Sequence, residues 1–351
     1  MNLLIITQKV DIDDDILGFF HDWITEFAEN FQQVIVICLE ERKYSLPLNV
    51  MILSLGKEKK ASKFTYLLNF YKYIWRERKN YDAVFVHMNA EYVLWGGAIW
   101  KALGKKISLW YVHKAVSMKL RIAAWLADDI FTSAKESFGI ASKKAIYLGH
   151  GIKMNKFGQK REKQAGRYDV ICVGRISPIK NQKLLIEAAN ILVNKMSVGD
   201  VSFKLIGGPV YERDNEYLIE LKNLTEQYGL NDVIDFVGKV PNKNISQYYG
   251  KADLSLNLSP TGGMDKTVLE SIASGLPVIA INRIFADCFA GWEDLFLLDR
   301  ADPELLAQKI VNIKNLDESK IALAGDHLRV FVAENCSLEK TILKIEKHLN
   351  D

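Results

Sequence analysis

Cysteine is scarce in this sequence, and the four that occur are isolated from one another. Cys38, Cys172, Cys288 and Cys336 form no CxxC pair and follow no regular spacing. Scattered single thiols argue against a disulfide framework and against a zinc site, and they are typical of proteins from a reducing compartment. We therefore expect a cytoplasmic protein.

Targeting signals and membrane-spanning segments are also missing. The first ten residues, MNLLIITQKV, have no basic region followed by a long apolar core, so we expect no signal peptide. The nearest candidate for a span, Tyr92–Trp100, is far shorter than the roughly 18 apolar residues that a spanning helix needs. It predicts a buried helix instead.

The glycine-rich fingerprint of dinucleotide-dependent oxidoreductases does not occur. Those enzymes need GxGxxG directly after a strand. Here the first apolar run leads into TQKVDIDDD, and Val173-Gly174 leads into Arg175. The sequence therefore excludes that class.

The composition that is present belongs to an ordinary globular protein with an uneven charge. The chain has 351 residues, of which 49% are hydrophobic and 25% charged, and this size favours two domains. Residues 1–165 carry 25 basic and 17 acidic residues, a net +8, and the remainder carries 21 and 26, a net −5. The basic first half predicts an anionic partner for that half.

Short apolar runs alternate with helical patterns from the first residue onward. The runs lack strict polar–apolar alternation, which is typical of parallel sheets covered by helices on both sides. The predicted strands of the first series are Asn2–Thr7, Val34–Leu39, Val50–Leu53, Ala83–His87, Ile107–Trp110, Ile130–Thr132 and Ala145–Leu148.

A polar segment, Lys153–Arg167, interrupts this pattern and predicts an interdomain linker. The strands predicted after it are Tyr168–Val173, Phe203–Ile206, Val233–Val237, Leu254–Leu258, Val278–Ile281 and Leu295–Leu298. We predict an N-terminal domain over 1–155, with a C-terminal helix over 337–350 packed back on it, and a C-terminal domain over 166–334. The fold class is α/β, with two Rossmann-like doubly wound parallel-sheet domains facing each other across a cleft and a ligand at the carboxyl ends of the strands.

Two cations follow the first strand of the second series. In YDVICVGRISPIKNQKLLIEA the strand ends at Gly174, Arg175 comes next, and Lys180 stands where a helix begins. Cations at the carboxyl end of a parallel strand, beside a helix N-terminus, can bind an anion. The alternative is that both are solvated turn residues.

A glycine-containing turn follows the fourth strand of that series. In LSLNLSPTGGMDKTVLESIASGLPVIAINR the strand leads into Gly262 and Gly263, and a helix follows. Glycines in this place let backbone N–H groups approach a phosphate closely. Glu270, within the helix, could accept hydrogen bonds from ribose hydroxyls, although periodicity by itself favours a solvent-facing side chain.

Four segments together carry a family resemblance: IFTSAKES, YLGHGIKMNKF, VGRISPIKNQKLLIEA and GGMDKTVLESIASGLPVIA. They resemble segments of the retaining, two-domain GT-B glycosyltransferases of family 4, also called glycosyl transferases group 1. The resemblance extends along the chain and is sharpest over 130–282. It implies a hexosyltransferase-like enzyme that moves a sugar from a UDP- or GDP-linked nucleotide-diphosphate sugar, with retention and without a further cofactor. The acceptor it implies is a glycan or lipid-linked glycan, in cell-surface polysaccharide or glycoconjugate biosynthesis.

The resemblance also implies residue roles. Arg175 and Lys180 match the basic pair that binds the donor diphosphate, and Glu270 matches the second glutamate of the Glu-x7-Glu motif, which binds the ribose. The catalytic residues that it implies are His113, Arg175, Lys180 and Asp265. The donor-binding residues that it implies are Gly18, Arg175, Lys180, Gly262, Gly263, Met264, Asp265 and Glu270.

One position departs from the family pattern. Gly262 stands where the first glutamate of Glu-x7-Glu is expected, and in the family that carboxylate faces hydroxyls of the transferred sugar. Asp265, three residues later, could supply a substitute carboxylate. The departure leaves open a catalytically inactive member that only binds a nucleotide sugar, and a nucleotide-sugar epimerase or hydrolase of the same fold is a further alternative.

Metal dependence is not expected. The aspartate clusters Asp13–Asp15 and Asp128-Asp129 are interpreted as solvated acidic turns and not as a DxD-type metal site. We predict that the two cations and the backbone amides of Gly263–Asp265 stabilise the leaving diphosphate instead.

The segment 56–79 bears on the acceptor. It contains eight basic, two acidic and six aromatic residues, and such a helix can lie on an anionic membrane surface. The alternative is a helix that packs on the core with a solvated basic face. The same composition would also suit binding of single-stranded nucleic acid. Because no nucleic-acid-binding motif accompanies the segment, we do not expect nucleic acid as a partner. We expect peripheral contact with the inner face of the membrane.

Overall fold

The computed structural model describes residues 1–158 and 166–350, which form two compact units. The first unit comprises Met1–Lys153, Pro241–Lys243 and the C-terminal residues from Asn335, and the second comprises Met154–Val240 and Asn244–Glu334. Residues 159–165 of the predicted linker lie outside the described residues.

The first unit is built on a seven-stranded, all-parallel sheet in the order β3-β2-β1-β4-β5-β6-β7. In the centre of the sheet, Leu3–Ile6 pair with Val34–Ile37 on one side and with Ala83–Val86 on the other. The strands are β1 Asn2–Val10, β2 Gln33–Glu41, β3 Val50–Ser54, β4 Ala83–His87, β5 Lys106–Trp110, β6 Asp129–Thr132 and β7 Ala145–Tyr147.

Helices cover both faces of this sheet, because alternate strand residues point to opposite sides. Its helices are α1 Phe19–Asn30, α2 Lys63–Arg76, α3 Ala90–Ala102, α4 Met118–Leu126 and the last helix of the chain, α12 Leu338–Asn350. Leu4 and Ile6 pack with buried residues of α2, α3 and α4. Leu3 and Ile5 pack with α1 and with the apolar residues of α12. The helix predicted over Tyr92–Trp100 lies within α3, where Tyr92, Val93 and Trp100 are buried.

The second unit is built on a five-stranded, all-parallel sheet in the order β10-β9-β8-β11-β12. The strands are β8 Tyr168–Val173, β9 Val201–Ile206, β10 Ile234–Gly238, β11 Leu254–Asn257 and β12 Val278–Ala280. The helices are α5 Gln182–Asn190, α6 Glu212–Gln227, α7 Ile245–Lys251, α8 Lys266–Ala273, α9 Glu293–Phe296, α10 Pro303–Lys314 and α11 Glu318–Asn335. The prediction of two parallel-sheet α/β domains is confirmed.

Two elements of the second unit differ from the sequence-based expectation. The strand predicted over Leu295–Leu298 is wrong, since the chain forms the single-turn helix α9 there and only Leu297 makes an isolated bridge, to Ala280. A four-residue apolar run does not distinguish a strand from a buried helical turn. Helix α11 has no clear signal in the sequence, because it buries only Ala324, Leu328 and Val332 and therefore has a weak apolar pattern.

None of the helices in the described residues is both long enough and apolar enough to span a bilayer.

Candidate functional site

The two sequence-predicted segments of the second unit meet at one edge of its sheet. The strand order reverses between β8 and β11, with β9 and β10 on one side and β12 on the other. In open parallel sheets, ligands bind outside the carboxyl ends of the strands at such a switch point. Arg175 and Lys180 follow β8, and the turn that contains Gly262 follows β11. The topology therefore places both segments at the expected ligand-binding edge.

Lys180 is held in place by a carboxylate from the other segment. It ends the 3-10 turn Pro178–Lys180, and its Nζ forms an ion pair with Oδ2 of Asp265. Asn257 Nδ2 donates to the same Oδ2 at 2.9 Å. Burial raises the pKa of Asp265, but the Lys180 ammonium and the Asn257 amide outweigh it and hold that pKa below its usual range. Asp265 is therefore ionised at neutral pH, and it positions the Lys180 cation.

Asp265 also begins helix α8. As the N-cap residue it accepts a hydrogen bond from the backbone N–H of Thr267. Its carboxylate therefore has three partners within the protein, Lys180, Asn257 and Thr267. Its predicted role as a substitute ligand for the donor sugar stays a prediction.

Arg175 provides a second cation at the same edge, and it is exposed. Its guanidinium carbon lies 5.9 Å from the centre of the Tyr211 ring. Its backbone carbonyl accepts a hydrogen bond from Gln182 Nε2 at 3.0 Å, which fixes the main chain from which the side chain projects. The arrangement gives one cation held by a carboxylate and one that extends toward solvent.

Glu270 is buried, so the expectation of a solvent-facing side chain is wrong. It is 6% exposed, and the Tyr249 hydroxyl donates to its Oε2 at 3.0 Å. Burial raises the pKa of Glu270 to about 7, while Lys266, Lys156 and the Tyr249 hydrogen bond act in the opposite direction. Periodicity gave the wrong exposure because α8 is short and buried on several sides, with Val268, Leu269, Ser271 and Ile272 all inside.

The turn before α8 adopts a backbone conformation that suits glycine. Gly262 has a φ of +122°, which side-chain-bearing residues rarely adopt. Nothing lies within 4 Å of where its Cβ would be, so the constraint is conformational and not steric. Gly263 and Met264 follow in the same turn and are half-buried. A glutamate at position 262 is therefore disfavoured by the backbone of this chain.

Several polar atoms near the same two strand ends are buried without a hydrogen-bond partner among the described residues. They are Ser177 Oγ, Gln182 Oε1, Asn257 Oδ1 and Ser259 Oγ. An unsatisfied buried polar group costs about 1–3 kcal/mol, so such a cluster indicates a place where a polar ligand or water completes the bonding. Sequence reasoning missed these residues and Tyr249, because each is a common residue type outside the recognised motifs.

The first unit contains the two remaining predicted residues. His113 follows β5, is exposed, and makes an edge contact with the Tyr111 ring at 6.0 Å. Gly18 is the N-cap of α1, and a Cβ there would lie 2.4 Å from the carbonyl oxygen of Asp14. Gly18 is therefore needed for close packing of the loop against the helix start. A role of either residue in catalysis or donor binding stays a prediction.

The acidic turns are engaged in internal contacts. Asp14 accepts hydrogen bonds from Lys9 Nζ at 2.7 Å and from the backbone N–H groups of Ile16 and Leu17. Asp128 pairs with Lys101 and accepts a hydrogen bond from the Ile107 N–H. Within the described ranges, no group of three or more His, Cys, Asp or Glu side chains is arranged to hold a metal ion.

Comparison with known proteins relates part of the chain to glycosyltransferases. Residues 153–323 match the sequence model described as Glycosyl transferases group 1. The chain is 25% identical over 220 residues to WcaL of Salmonella typhimurium, which its name assigns to colanic acid biosynthesis as a glycosyltransferase, and the match covers 59% of this chain and 51% of WcaL. It is 31% identical over 149 residues to the alpha-monoglucosyldiacylglycerol synthase of Streptococcus pneumoniae, covering 40% of this chain and 32% of that protein.

The matched part of the chain thus spans about half the length of WcaL. Among solved structures, HepE of Anabaena in complex with UDP and glucose superimposes with a TM-score of 0.76 at 16% identity, covering 99% of both chains. That likeness concerns the fold, which is the GT-B fold. The chain thus has the GT-B fold, and its residues 153–323 resemble the glycosyl transferases group 1 family.

Proposed function

We propose that this protein transfers a sugar from a nucleotide-diphosphate sugar to a membrane-borne glycan or lipid-linked glycan, with retention of anomeric configuration. The observation that carries the proposal is the edge of the second sheet. There the Lys180 ammonium forms an ion pair with Asp265, and the exposed Arg175 side chain provides a second cation. Glu270 is buried in helix α8, which begins at Asp265. Cations and buried polar acceptors on one switch point suit a nucleoside diphosphate.

The two cations supply the chemistry of the leaving group. When the anomeric C–O bond breaks, negative charge develops on the departing diphosphate, and preorganised cations stabilise that charge. Lys180 is preorganised by its contact with Asp265. In this proposal Arg175 completes the contact from the solvent side, and Glu270 accepts hydrogen bonds from the ribose hydroxyls.

Relatives support the classes of donor and acceptor. HepE has been solved with UDP, which favours a uridine-linked donor for this chain. The name of WcaL refers to a polysaccharide, colanic acid, and the Streptococcus relative is named as a synthase of a glucosylated diacylglycerol. These names favour cell-surface polysaccharide or glycolipid biosynthesis and an acceptor that is held at the membrane.

We propose further that the reaction needs no divalent metal, because the positive charges of Arg175 and Lys180 can stabilise the leaving diphosphate without one. The test is transfer activity after exhaustive treatment with EDTA. Activity should persist. Loss on chelation with recovery on adding magnesium or manganese would contradict the proposal.

The transfer itself is tested with radiolabelled UDP- and GDP-sugars, with and without a membrane extract as the source of acceptor. A nucleoside diphosphate and a labelled glycan or lipid should form only when the extract is present. Release of free sugar without the extract would identify a hydrolase, and an altered sugar nucleotide would identify an epimerase. Binding of the nucleotide sugar without turnover under any of these conditions would identify an inactive member.

A further inference from the structure

Helices α2, α3 and α4 cover the same side of the first sheet. Phe70 and Ile74 of α2, Val93 and Trp100 of α3, and Leu120 of α4 belong to one buried cluster with the strand residues on that side. Because the inner faces of the three helices pack on one side of the sheet, their outer faces look out on the same side of the first unit. That surface is called the α2–α4 outer face below.

Helix α2 exposes an apolar stripe on this face. Phe64, Leu68, Tyr71 and Trp75 follow one another at i, i+4, i+7 and i+11, and Phe64 and Trp75 are 69% and 56% exposed. This spacing places the four side chains on one face of a helix. The helix thus has an apolar inner face, which includes Phe70, and a second apolar stripe that points to solvent. Core packing explains only the first of these.

Helix α4 exposes a matching stripe that no sequence pattern had indicated. Met118, Ile122 and Trp125 lie at i, i+4 and i+7, and Met118 and Trp125 are 72% and 76% exposed. Trp95 of α3 is also exposed, and its ring contacts Phe70 of α2 edge-on at 5.9 Å. Each of the three helices therefore contributes exposed apolar surface, far more than single scattered residues would give.

The charge of the α2–α4 outer face is positive. The three helices carry six basic residues and one acidic residue, Glu91. Lys119, Arg76 and Lys101 form ion pairs with Glu91, Glu77 and Asp128, so the positive charge in excess comes from Lys63, Lys72 and Arg121. Directly after α2, the Arg78 guanidinium lies 4.5 Å from the centre of the Trp75 ring. Association of two copies through this face would bring like charges together, which disfavours a second copy as the occupant. An anionic surface is complementary to it.

We propose that the α2–α4 outer face docks on an anionic lipid bilayer. Tryptophan and tyrosine rings prefer the boundary between lipid tails and headgroups, and an exposed apolar stripe flanked by basic residues lies in that boundary. Docking deepens the proposed function, on which it rests for its biological purpose, since it keeps the enzyme on the surface that carries its acceptor. The binding itself requires no sugar transfer.

Co-sedimentation of the full chain with vesicles tests the proposal. The vesicles are phosphatidylcholine with and without phosphatidylglycerol, at low and high salt. One variant carries Met118→Ser, Ile122→Ser and Trp125→Ser, and a second carries Phe64→Ser, Leu68→Ser and Trp75→Ser. The matched control carries Ile219→Ser, Leu323→Ser and Val330→Ser, which are similarly exposed residues of the second unit.

We expect the wild type and the control to bind anionic vesicles in a salt-sensitive manner, and each α2 or α4 variant to bind at least about tenfold more weakly. The proposal is overturned if the α4 variant binds vesicles as strongly as the wild type. It is also overturned if the wild type does not bind anionic vesicles at low salt. A concentration-dependent dimer that the α4 variant abolishes would assign the face to a second copy instead. The thermal stability of the same samples is measured with and without UDP. A UDP-induced shift in the variants shows that they are folded. If the wild type binds vesicles but shows no shift with UDP, the donor site is refuted and the docking proposal still holds.

Discussion

The switch-point edges of the two sheets are organised in opposite ways. At the first edge, charged groups at the end of β1 and directly after it are neutralised within the unit: the Lys9 ammonium lies 3.3 Å from the Asp11 carboxylate and 2.7 Å from that of Asp14. His87, at the end of β4, stacks on Phe20 with 4.0 Å between ring centres and lies 3.3 Å from the Thr7 hydroxyl. At the second edge, one cation extends into solvent and four polar atoms have no partner among the described residues.

Unsatisfied polar groups and internally paired polar groups have different energetic consequences. Polar groups that satisfy one another contribute to the fold, whereas buried groups left unsatisfied carry a cost that a ligand can remove. Buried polar atoms without a hydrogen-bond partner among the described residues also occur in the first unit, for example Thr132 Oγ1, so it is their combination with the two cations that favours the second edge as the proposed donor site. The first unit presents instead the exposed apolar and basic face of α2–α4.

Removing a cation should have the largest effect. We expect Arg175→Ala and Lys180→Ala each to lower the transfer rate by about 10²–10³-fold, which is the usual cost of losing one preorganised group that stabilises developing charge. Lys183→Ala is the matched control, because Lys183 follows in α5 and pairs with Glu220 at the surface. The steady-state transfer rate of each variant is measured after circular dichroism has verified that the variant is folded. Rates like those of the control would remove the diphosphate assignment.

Replacing the buried carboxylate of Glu270 should have opposite effects on UDP affinity and on the stability of the fold. Glu270→Gln should weaken UDP affinity about 10–100-fold, because hydrogen bonds to a charged acceptor contribute about 1.5–3 kcal/mol. Calorimetry with UDP measures this loss. Glu226→Gln, on the exposed face of α6, is the control.

The same variant should alter stability in the other direction. The folded-state pKa of Glu270 is raised by burial from 4.5 to about 7, so the stability linked to its protonation is fully present below pH 4.5 and is lost as pH rises through 7. The loss in the free energy of unfolding is about 3 kcal/mol, because each unit of pKa shift corresponds to about 1.36 kcal/mol. Glu270→Gln should remove this dependence and unfold at a higher temperature than the wild type at pH 8. Parallel pH profiles for the two proteins would show that Glu270 is not the group responsible.

The turn that replaces the motif glutamate should depend on glycine. We expect Gly262→Ala to lower the free energy of unfolding by about 1–3 kcal/mol, the usual cost of a side chain in a sparsely populated backbone region. Gly199→Ala is the control, since that glycine also has open space around its Cβ position but no positive φ. Chemical denaturation measures both. Equal stability of the two variants would mean that the turn relaxes and that position 262 can accept a glutamate.

The sequence was sufficient for the fold and for the order of the motifs, and less informative about what each residue contacts. Unbroken apolar runs such as that of β8 predicted parallel strands because burial on both faces leaves little room for polar residues. The burial of Glu270 and its contact with Tyr249 join residues from two helices, α8 and α7. No local pattern encodes that pairing, since a tyrosine at position 249 fits an ordinary buried helix equally well.

Removing the hydroxyl that contacts Glu270 should have the smallest effect. It tests whether the Tyr249 hydrogen bond lowers the pKa of Glu270 enough to affect UDP binding. Tyr249 is buried, and its hydroxyl donates to Glu270 Oε2 at 3.0 Å. Burial sets the raised pKa of Glu270, and the Tyr249 hydrogen bond partly counteracts that effect. Tyr249→Phe should therefore raise the pKa further, and UDP binding, which needs the carboxylate, should require a higher pH.

At pH 7 the affinity of Tyr249→Phe for UDP should fall by a few-fold, in line with about 0.5–1.5 kcal/mol for one hydrogen bond, and should recover toward the wild-type value at pH 9. Tyr217→Phe is the matched control, because Tyr217 is also a buried tyrosine of the second unit but its hydroxyl accepts a hydrogen bond from the backbone N–H of Lys183. Calorimetric titration with UDP at several pH values measures both variants. A pH-independent loss would mean that Tyr249 only packs against the site, and recovery at high pH would identify it as the residue that keeps Glu270 ionised for the ribose.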